Sequence, residues 1–304
     1  METKIEILKT PNIIKKEYKK FEAKDKILQE IINNFTYVLE RDVLKENLIL
    51  FYNNISTLKI DNKIVLDNLK KNKYNKNIIV GYYFLQENII SILPLGKCKY
   101  LNVSTEEYIA NLCHELLHMS SSIVDNENRV SFSGFCQVTD NNEIGIALDD
   151  AYTEILAFRY FNLNTDYMSY DYEIIITSLI EDIIGKDKMT TLYFNANLYD
   201  FVNELEKYNS RDNIIKFLDD LDSIYVLRDQ RSGYKKDMIY YHNEISNFIV
   251  GTYQNKLNDD LKKEIITIDE YNRNLDKYIS NIHIAFNKLG IIKNRKRKRR
   301  NTKK

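Results

Sequence analysis

Proline, glycine and tryptophan are scarce in this 304-residue sequence, which contains 2 Pro, 8 Gly and no Trp. So few chain-breaking residues exclude collagen-like and elastic architectures, and they argue against an all-β chain, which needs many turns. Hydrophobic residues make up 44% of the chain, which is enough to bury a sizeable core. We therefore predict a mostly helical globular protein.

The three cysteines, Cys98, Cys113 and Cys136, form no closely spaced pair. This excludes a disulfide scaffold and a thiolate zinc finger, and it favours a reducing compartment. Apolar runs such as residues 78–85 are far shorter than the about 18 residues that span a membrane. The start of the chain also lacks the basic and apolar regions of an export signal. We expect a cytoplasmic protein without a membrane span.

Charge is distributed unevenly along the chain. There are 44 basic and 44 acidic residues, but nine of the basic ones lie in residues 293–304, so the first 292 residues carry a formal charge of 35 − 44 = −9. Such a basic run repels itself and is typically disordered. It is either a solvated tail or a contact for nucleic acid or another polyanion.

Hydrophobic periodicity divides the chain into segments of different type. Ser104, with Glu107 three residues later, predicts the start of a helix, and Asp149 is predicted to be the N-cap of another. The predicted segments are helical structure at 14–56, a β-hairpin at 78–93, a helix at 105–122, a strand at 129–138, a helix from Asp149 to Phe161, and four or five amphipathic helices from 171 to 289.

The helix at 105–122 contains the sequence His114-Glu115-Leu116-Leu117-His118. Residues four apart lie on one helical face, so the two imidazoles can share a metal ion while Glu115 acts on a water molecule there. Two of the four histidines in the chain fall in this HExxH motif, which favours a zinc site over ordinary helix-face residues. Its neighbours Tyr108, Leu112, Leu116 and Met119 should form a buried stripe, and Cys113 should face the core.

A catalytic zinc site needs a third protein ligand and an open position. His242 and His283 are distant in predicted helices, so we expect a carboxylate. Asp150 and Glu154 are four apart on the next helix; one would bind zinc and the other would accept a hydrogen bond from a ligating imidazole. The competing interpretation is an acidic helix start stabilised by the helix dipole.

With these residues the sequence resembles the gluzincin class of zinc metallopeptidases over residues 76–162. In that class a helix opening with an Asn-Glu-Gly or Asn-Glu-Ala motif follows the HExxH helix, and Asp149-Asp150-Ala151 stands in its place. The resemblance implies Asp150 as ligand and Glu154 as its outer partner, although Asp is shorter than Glu and the roles could be exchanged. It also implies a sheet over the HExxH helix, formed by the hairpin and the strand near 129–138, with residues 131–135 as the substrate-binding edge.

The predicted function is a zinc-dependent metallopeptidase that hydrolyses a peptide bond in a peptide or protein substrate. Zinc would activate the water and Glu115 would be the general base. One alternative is hydrolysis of a nonpeptide amide, and another is an inactive zinc-stabilised scaffold tethered through residues 293–304 to nucleic acid or another polyanion. Side chains that could stabilise an oxyanion are Tyr152, Tyr234, Tyr240, Tyr241 and His242.

The predicted fold class is α+β and mostly helical, with a small β-sheet over an HExxH active-site helix and a helical subdomain after it. The predicted organisation is an N-terminal helical region (1–70), a zincin-like catalytic core (71–165), the helical subdomain (166–290) and the basic tail (291–304).

Overall fold

The computed structural model describes residues 5–23, 25–71, 80–127, 129–163, 171–229 and 234–289. Helices dominate these residues and two small sheets accompany them, which confirms a mostly helical α+β fold. The α-helices are α1 (Lys26–Asp42), α2 (Ile49–Ile55), α3 (Lys63–Lys71), α4 (Leu95–Cys98), α5 (Thr105–Ser120), α6 (Ile146–Phe161), α7 (Asp171–Ile184), α8 (Lys186–Phe194), α9 (Leu198–Leu205), α10 (Arg211–Asp229), α11 (Lys235–Lys262) and α12 (Ile268–Lys288).

The strands form two separate sheets. The first has the order β1-β3-β2, with β1 parallel and β2 antiparallel to the central β3. The second is an antiparallel meander in the order β4-β5-β6-β7. The strands are β1 (Lys59–Asp61), β2 (Gly81–Phe84), β3 (Ile89–Ile92), β4 (Ser122–Asp125), β5 (Val130–Ser133), β6 (Cys136–Val138) and β7 (Glu143–Ile144).

The expectation of one sheet with an edge at residues 131–135 is wrong. The predicted hairpin is present as β2 and β3, whereas the predicted strand at 129–138 is two strands, β5 and β6, in the other sheet. They are separated at Gly134, whose backbone has a φ of 48°. Because β5 lies between β4 and β6, it is an interior strand with both edges paired.

The prediction that helical structure begins at residue 14 is also wrong. Residues 5–23 belong to neither helix nor strand, and α1 begins at Lys26, where the Asp25 side chain accepts hydrogen bonds from the amides of Ile27 and Leu28. Residues 14–20 include four lysines and are all exposed. A helix there would have no apolar face to bury, which removes the main source of helix stability in proteins.

The helical second half contains six described helices, α7 to α12, and not four or five. The difference arises because two short helices, α8 and α9, are delimited by residues with positive φ: Gly185 at 97° before α8 and Ala196 at 50° before α9. Such conformations cannot continue a right-handed helix.

One hydrophobic cluster extends from Ile7 to Leu289 and includes side chains from all three regions predicted to be folded. A small second cluster contains Leu50, Val130, Phe132 and Ala196. All three predicted region boundaries fall at or beside segments outside the described residues, and the basic tail also lies outside them, so that division remains a prediction. Within the described chain, no helix is both long and apolar enough to cross a membrane.

Candidate metal centre

Helix α5 carries the HExxH residues and packs with its predicted face inward. Ser104 is its N-cap and accepts a hydrogen bond from the amide of Glu107 at 3.0 Å. The predicted stripe is buried, as is Cys113 on the neighbouring face. The buried stripe fixes the rotation of α5, and this rotation directs His114 and His118 towards α6.

Two imidazoles and one carboxylate converge beside α5. The Nε2 atoms of His114 and His118 are 3.0 Å apart, and the Nε2 atom of His118 is 3.3 Å from Oδ1 of Asp150. All three candidate ligand atoms lie within 4.8 Å of one another. In a tetrahedral zinc site with bonds of about 2.0–2.1 Å, two ligand atoms lie about 3.3 Å apart. The spacing therefore fits a zinc ion.

The opposite nitrogen of each imidazole faces a buried carboxylate. The Nδ1 atom of His114 is 3.1 Å from Oε1 of Glu154, and the Nδ1 atom of His118 is 3.1 Å from Oδ2 of Asp149. The His114–Glu154 contact has the distance of an ion pair but not the angle of a hydrogen bond. Carboxylates at both Nδ1 atoms favour protons there, which directs the Nε2 lone pairs at each other.

The candidate site is rich in carboxylates. Four carboxylates, those of Glu115, Asp149, Asp150 and Glu154, surround the two imidazoles. Burial alone would lower the pKa of His118, but the carboxylates of Asp149 and Asp150 raise it well above its ordinary value. The raised pKa means that His118 readily holds an additional proton. A metal ion between the two Nε2 atoms would replace that proton and separate the Nε2 lone pairs of His114 and His118.

The start of α6 differs from the prediction that Asp149 caps it. The helix begins at Ile146 after Gly145, which has a φ of 83°, so Asp149 lies in the first turn and is buried. Its Oδ1 accepts a hydrogen bond from the amide of Phe135 at 2.9 Å while Oδ2 faces His118. Sequence reasoning missed this role. The signal was the adjacent pair of acids, which projects two carboxylates to different sides of one imidazole.

Gly134 makes room for Asp149. A Cβ atom on Gly134 would lie 2.0 Å from Oδ1 of Asp149 and 2.5 Å from Cε2 of Tyr193. Its φ of 48° is also one that L side chains disfavour. The turn between β5 and β6 therefore fits closely around the carboxylate that holds His118.

Helix α10 supplies two contacts to α6 that the sequence did not indicate. Both carboxylate oxygens of Asp222 accept hydrogen bonds from the first amides of α6, from Gly145 at 2.6 Å and Ala147 at 2.9 Å. Three residues later, the Tyr225 hydroxyl donates to Oδ2 of Asp150 at 2.7 Å. Burial raises the pKa of Asp222 to about 7, against the opposing effect of the two amides. Both contacts help to place the α6 carboxylates.

Glu115 lies under the edge strand β2. A Cβ atom on Gly81 would be 3.2 Å from Cγ of Glu115, so the strand passes directly over this side chain. Burial raises the pKa of Glu115, while His114 and His118 oppose the shift. The structure thus holds Glu115 beside the converging ligands but outside the ligand group of His114, His118 and Asp150.

Two of the predicted oxyanion candidates are engaged elsewhere in the core. The Tyr152 hydroxyl is buried and donates to Glu181 at 2.8 Å, and His242 is buried between Tyr172 and Ser246. The other three candidates, Tyr234, Tyr240 and Tyr241, lie at the start of α11.

A tyrosine outside that prediction is within electrostatic range of the site. Tyr82 on β2 is 49% exposed, and its pKa is raised by burial and then by the carboxylates of Glu115, Glu143 and Asp150, which lie on α5, β7 and α6.

Comparison of the chain with protein-family models, with curated proteins and with solved structures gives no match.

Proposed function

We propose that this chain is a zinc-dependent metallopeptidase of the gluzincin type. The proposal rests chiefly on one observation: Nε2 of His114, Nε2 of His118 and Oδ1 of Asp150 converge, while Glu154 and Asp149 face the two Nδ1 atoms. Three protein ligands with outer carboxylates that orient the imidazoles are what a catalytic zinc site needs, and this arrangement supports the proposal.

Asp150 and Glu154 are the two candidates for the third zinc ligand, and we assign Asp150. Its Oδ1 lies on the Nε2 side of His118, whereas Glu154 lies on the Nδ1 side of His114. The shorter acid is sufficient because α6 packs directly against α5. When bound, zinc would supply Lewis-acid polarisation of the scissile carbonyl and a more acidic water.

Glu115 is the general base in this proposal. It is adjacent in sequence to His114 and lies outside the ligand group, so its carboxylate is free to take a proton from water and to pass it to the leaving amine. Burial under β2 raises its pKa above the ordinary value of a carboxylate, which makes it a stronger base.

The edge strand β2 is the element we assign to substrate binding. The amide of Leu93 donates to the carbonyl of Val80, so in the antiparallel pairing Gly81 and Tyr83 direct their backbone groups away from β3. The Tyr83 amide bonds the Glu115 carboxylate, so an extended peptide could pair with the backbone groups of Gly81 and the carbonyl of Tyr83, next to Glu115. The Tyr82 hydroxyl is the candidate donor to the developing oxyanion.

We also propose a cytoplasmic location, because the three cysteines are free and buried. A polyanion contact through residues 293–304 is the tether required by the scaffold alternative.

The test combines metal content with peptide hydrolysis. Protein purified without added metal should contain about one zinc per chain, as one three-ligand site implies. His118→Ala should lose the zinc, whereas Glu115→Gln should keep it and lose chelator-sensitive hydrolysis of a peptide library. His283→Ala, at an exposed histidine on α12, is the matched control and should change neither. If the wild type binds zinc but neither it nor any variant hydrolyses the peptide library, the scaffold alternative is favoured. If the wild type takes up no zinc, both the metallopeptidase and the zinc-stabilised scaffold are excluded.

A further inference from the structure

Residues 5–23, the N-terminal arm, cross the surface of the protein in an extended path. The arm contains no helix or strand, and Ile7 is its one buried side chain among the described residues. Four partly buried apolar side chains of the arm also pack against the two hydrophobic clusters. A second set of contacts is made through the backbone of the arm.

Three side-chain amides of the body bind the arm in the same way. Gln137 accepts from the amide of Leu8 at 2.7 Å and donates to the carbonyl of Glu6 at 2.8 Å. Asn53 accepts from the amide of Lys16 at 2.8 Å and donates to the carbonyl of Ile14 at 2.9 Å.

Gln29 repeats the pattern with the amide of Ala23 and the carbonyl of Phe21. In each case one amide group binds a carbonyl and the N–H group two residues later. We call Gln29, Asn53 and Gln137 the amide track.

The track recognises backbone and not side-chain identity. A carbonyl and the N–H two residues later project to the same side of an extended chain, which is the pairing that a neighbouring β-strand would use. Gln137 and Asn53 are themselves buried, and both polar atoms of each amide are used on the arm. Without an extended segment in place, these amides would lose their partners, which is costly for buried polar groups.

We infer that the amide track is a binding surface for an extended peptide, that the arm is its detachable ligand, and that the track accepts the same segment from a second copy of this chain. The described arm ends at Ala23 and α1 is capped by Asp25, so a cut between these two residues separates the arm from the first helix. Exchange of such an arm between copies breaks and remakes the same contacts and therefore costs little at equilibrium. This inference is independent of the proposed metallopeptidase function.

The probe is a labelled synthetic peptide of residues 5–23, which stands in for the arm of a second copy. A specific protease site is inserted after Ala23 in the full chain, so that the arm can be cut after folding. Before cutting, the tethered arm competes at an effective concentration in the millimolar range, so the labelled peptide should bind weakly. After cutting and dilution, we expect at least tenfold tighter apparent binding, measured by fluorescence anisotropy.

Modified peptides separate backbone recognition from side-chain packing. N-methylation at Leu8 and Lys16 removes the two donors to Gln137 and Asn53 and should weaken binding at least tenfold. The control peptide with Lys15→Ala and Glu17→Ala changes only exposed side chains and should bind like the unmodified one.

Protein variants give the reciprocal test. Asn53→Ala combined with Gln137→Ala should weaken binding at least tenfold, whereas Asn47→Ala removes a buried amide that bonds Thr191 and should not. Equal binding of the N-methylated peptide would overturn the inference. So would loss of cooperative unfolding on cutting, because the arm would then be an integral part of the fold.

Discussion

At the scale of single residues, the candidate metal centre depends on two consecutive aspartates that contact one imidazole from both sides. Asp149 faces Nδ1 of His118 at 3.1 Å, and Asp150 faces Nε2 of the same ring at 3.3 Å. Neighbouring residues on an α-helix project about 100° apart, so the two carboxylates reach the ring from different directions. The ring is thereby fixed in rotation before any metal binds.

Gly134 provides a direct test of that arrangement. In Gly134→Ala the new Cβ would lie 2.0 Å from Oδ1 of Asp149 and would require a φ of 48°. We expect a loss of more than about 2 kcal/mol in the free energy of unfolding, together with weaker zinc binding because Asp149 must move. Urea denaturation of the metal-free protein and zinc competition with a chromophoric chelator measure the two effects. Gly96→Ala, where nothing lies within 4 Å, is the control and should be nearly neutral.

At the scale of elements, α10 determines where α6 presents its carboxylates. Asp222 binds the first amides of α6, and Tyr225, three residues later on the same face of α10, holds Oδ2 of Asp150. Because Oδ2 is occupied in this way, Oδ1 is left to face His118. The helical second half therefore contributes contacts to the candidate metal site as well as a wall beside it.

Tyr225→Phe tests this assignment with minimal change in shape. Loss of the hydroxyl frees Asp150 to rotate, so we expect zinc affinity to fall by about 10–100-fold, as for other outer-partner variants. The visible spectrum of the cobalt-substituted protein should change because the coordination of Asp150 changes. Tyr152→Phe removes another buried hydroxyl, one that bonds Glu181, and should leave both the affinity and the spectrum unaltered. Identical cobalt spectra for wild type and Tyr225→Phe would contradict the role of α10.

Much of the site could be predicted from sequence where the responsible residues share one helix. The spacing of four residues places His114 and His118 on one face of α5, with Glu115 next to His114. The same spacing places Asp150 and Glu154 on one face of α6. The contacts of Gly134, Asp222 and Tyr225 could not be predicted in this way. They depend on how β5–β6 and α10 pack against α6, and no local periodicity encodes that packing.

The same limit explains the errors in the sheets. Alternating and β-branched residues indicated strands at 78–93 and 129–138, but pairing partners are set by tertiary packing. The glycine that divides the second segment was visible in the sequence, as Gly134 between Ser133 and Phe135. Its positive φ turns the chain back and makes two antiparallel strands of the one predicted.

A histidine between helices makes stability depend on pH. His242 on α11 is buried against Tyr172 of α7 and Phe286 of α12, and burial, helped by His283, lowers its pKa to about 4. Unfolding restores a pKa of about 6.5, so the unfolded chain binds a proton as the pH falls below that value while the folded chain does not. Stability should therefore be lost between about pH 6.5 and pH 4, by about 2 kcal/mol at pH 5.

Comparison with His242→Asn isolates this contribution. Between about pH 7.5 and pH 5, the wild type should lose about 2 kcal/mol more of its free energy of unfolding than the variant does, because other titrating groups cancel in the difference. Urea denaturation at each pH gives both values. Parallel pH dependences in the two proteins would show that the His242 imidazole does not carry the effect.

At the scale of the whole molecule, the candidate metal ligands come from two consecutive helices that pack against different parts of the chain. Helix α5 packs against α2 and β2 from the first part of the chain, and α6 packs against α7 and α10 from the second. The larger hydrophobic cluster already joins these parts. A zinc ion bound by His114, His118 and Asp150 would add a cross-link at the same junction.

Zinc should therefore stabilise the whole molecule and not only the neighbourhood of the site. Binding to the folded state alone raises the free energy of unfolding by about 4 kcal/mol when free zinc is about 1,000 times its Kd. Because one core spans both halves, the entire unfolding transition should move together, with calorimetry and tyrosine fluorescence reporting the same midpoint shift. His118→Ala should abolish the shift, while His283→Ala should keep it. A shift reported by only one probe would mean that the two halves unfold independently and that the metal stabilises only one of them.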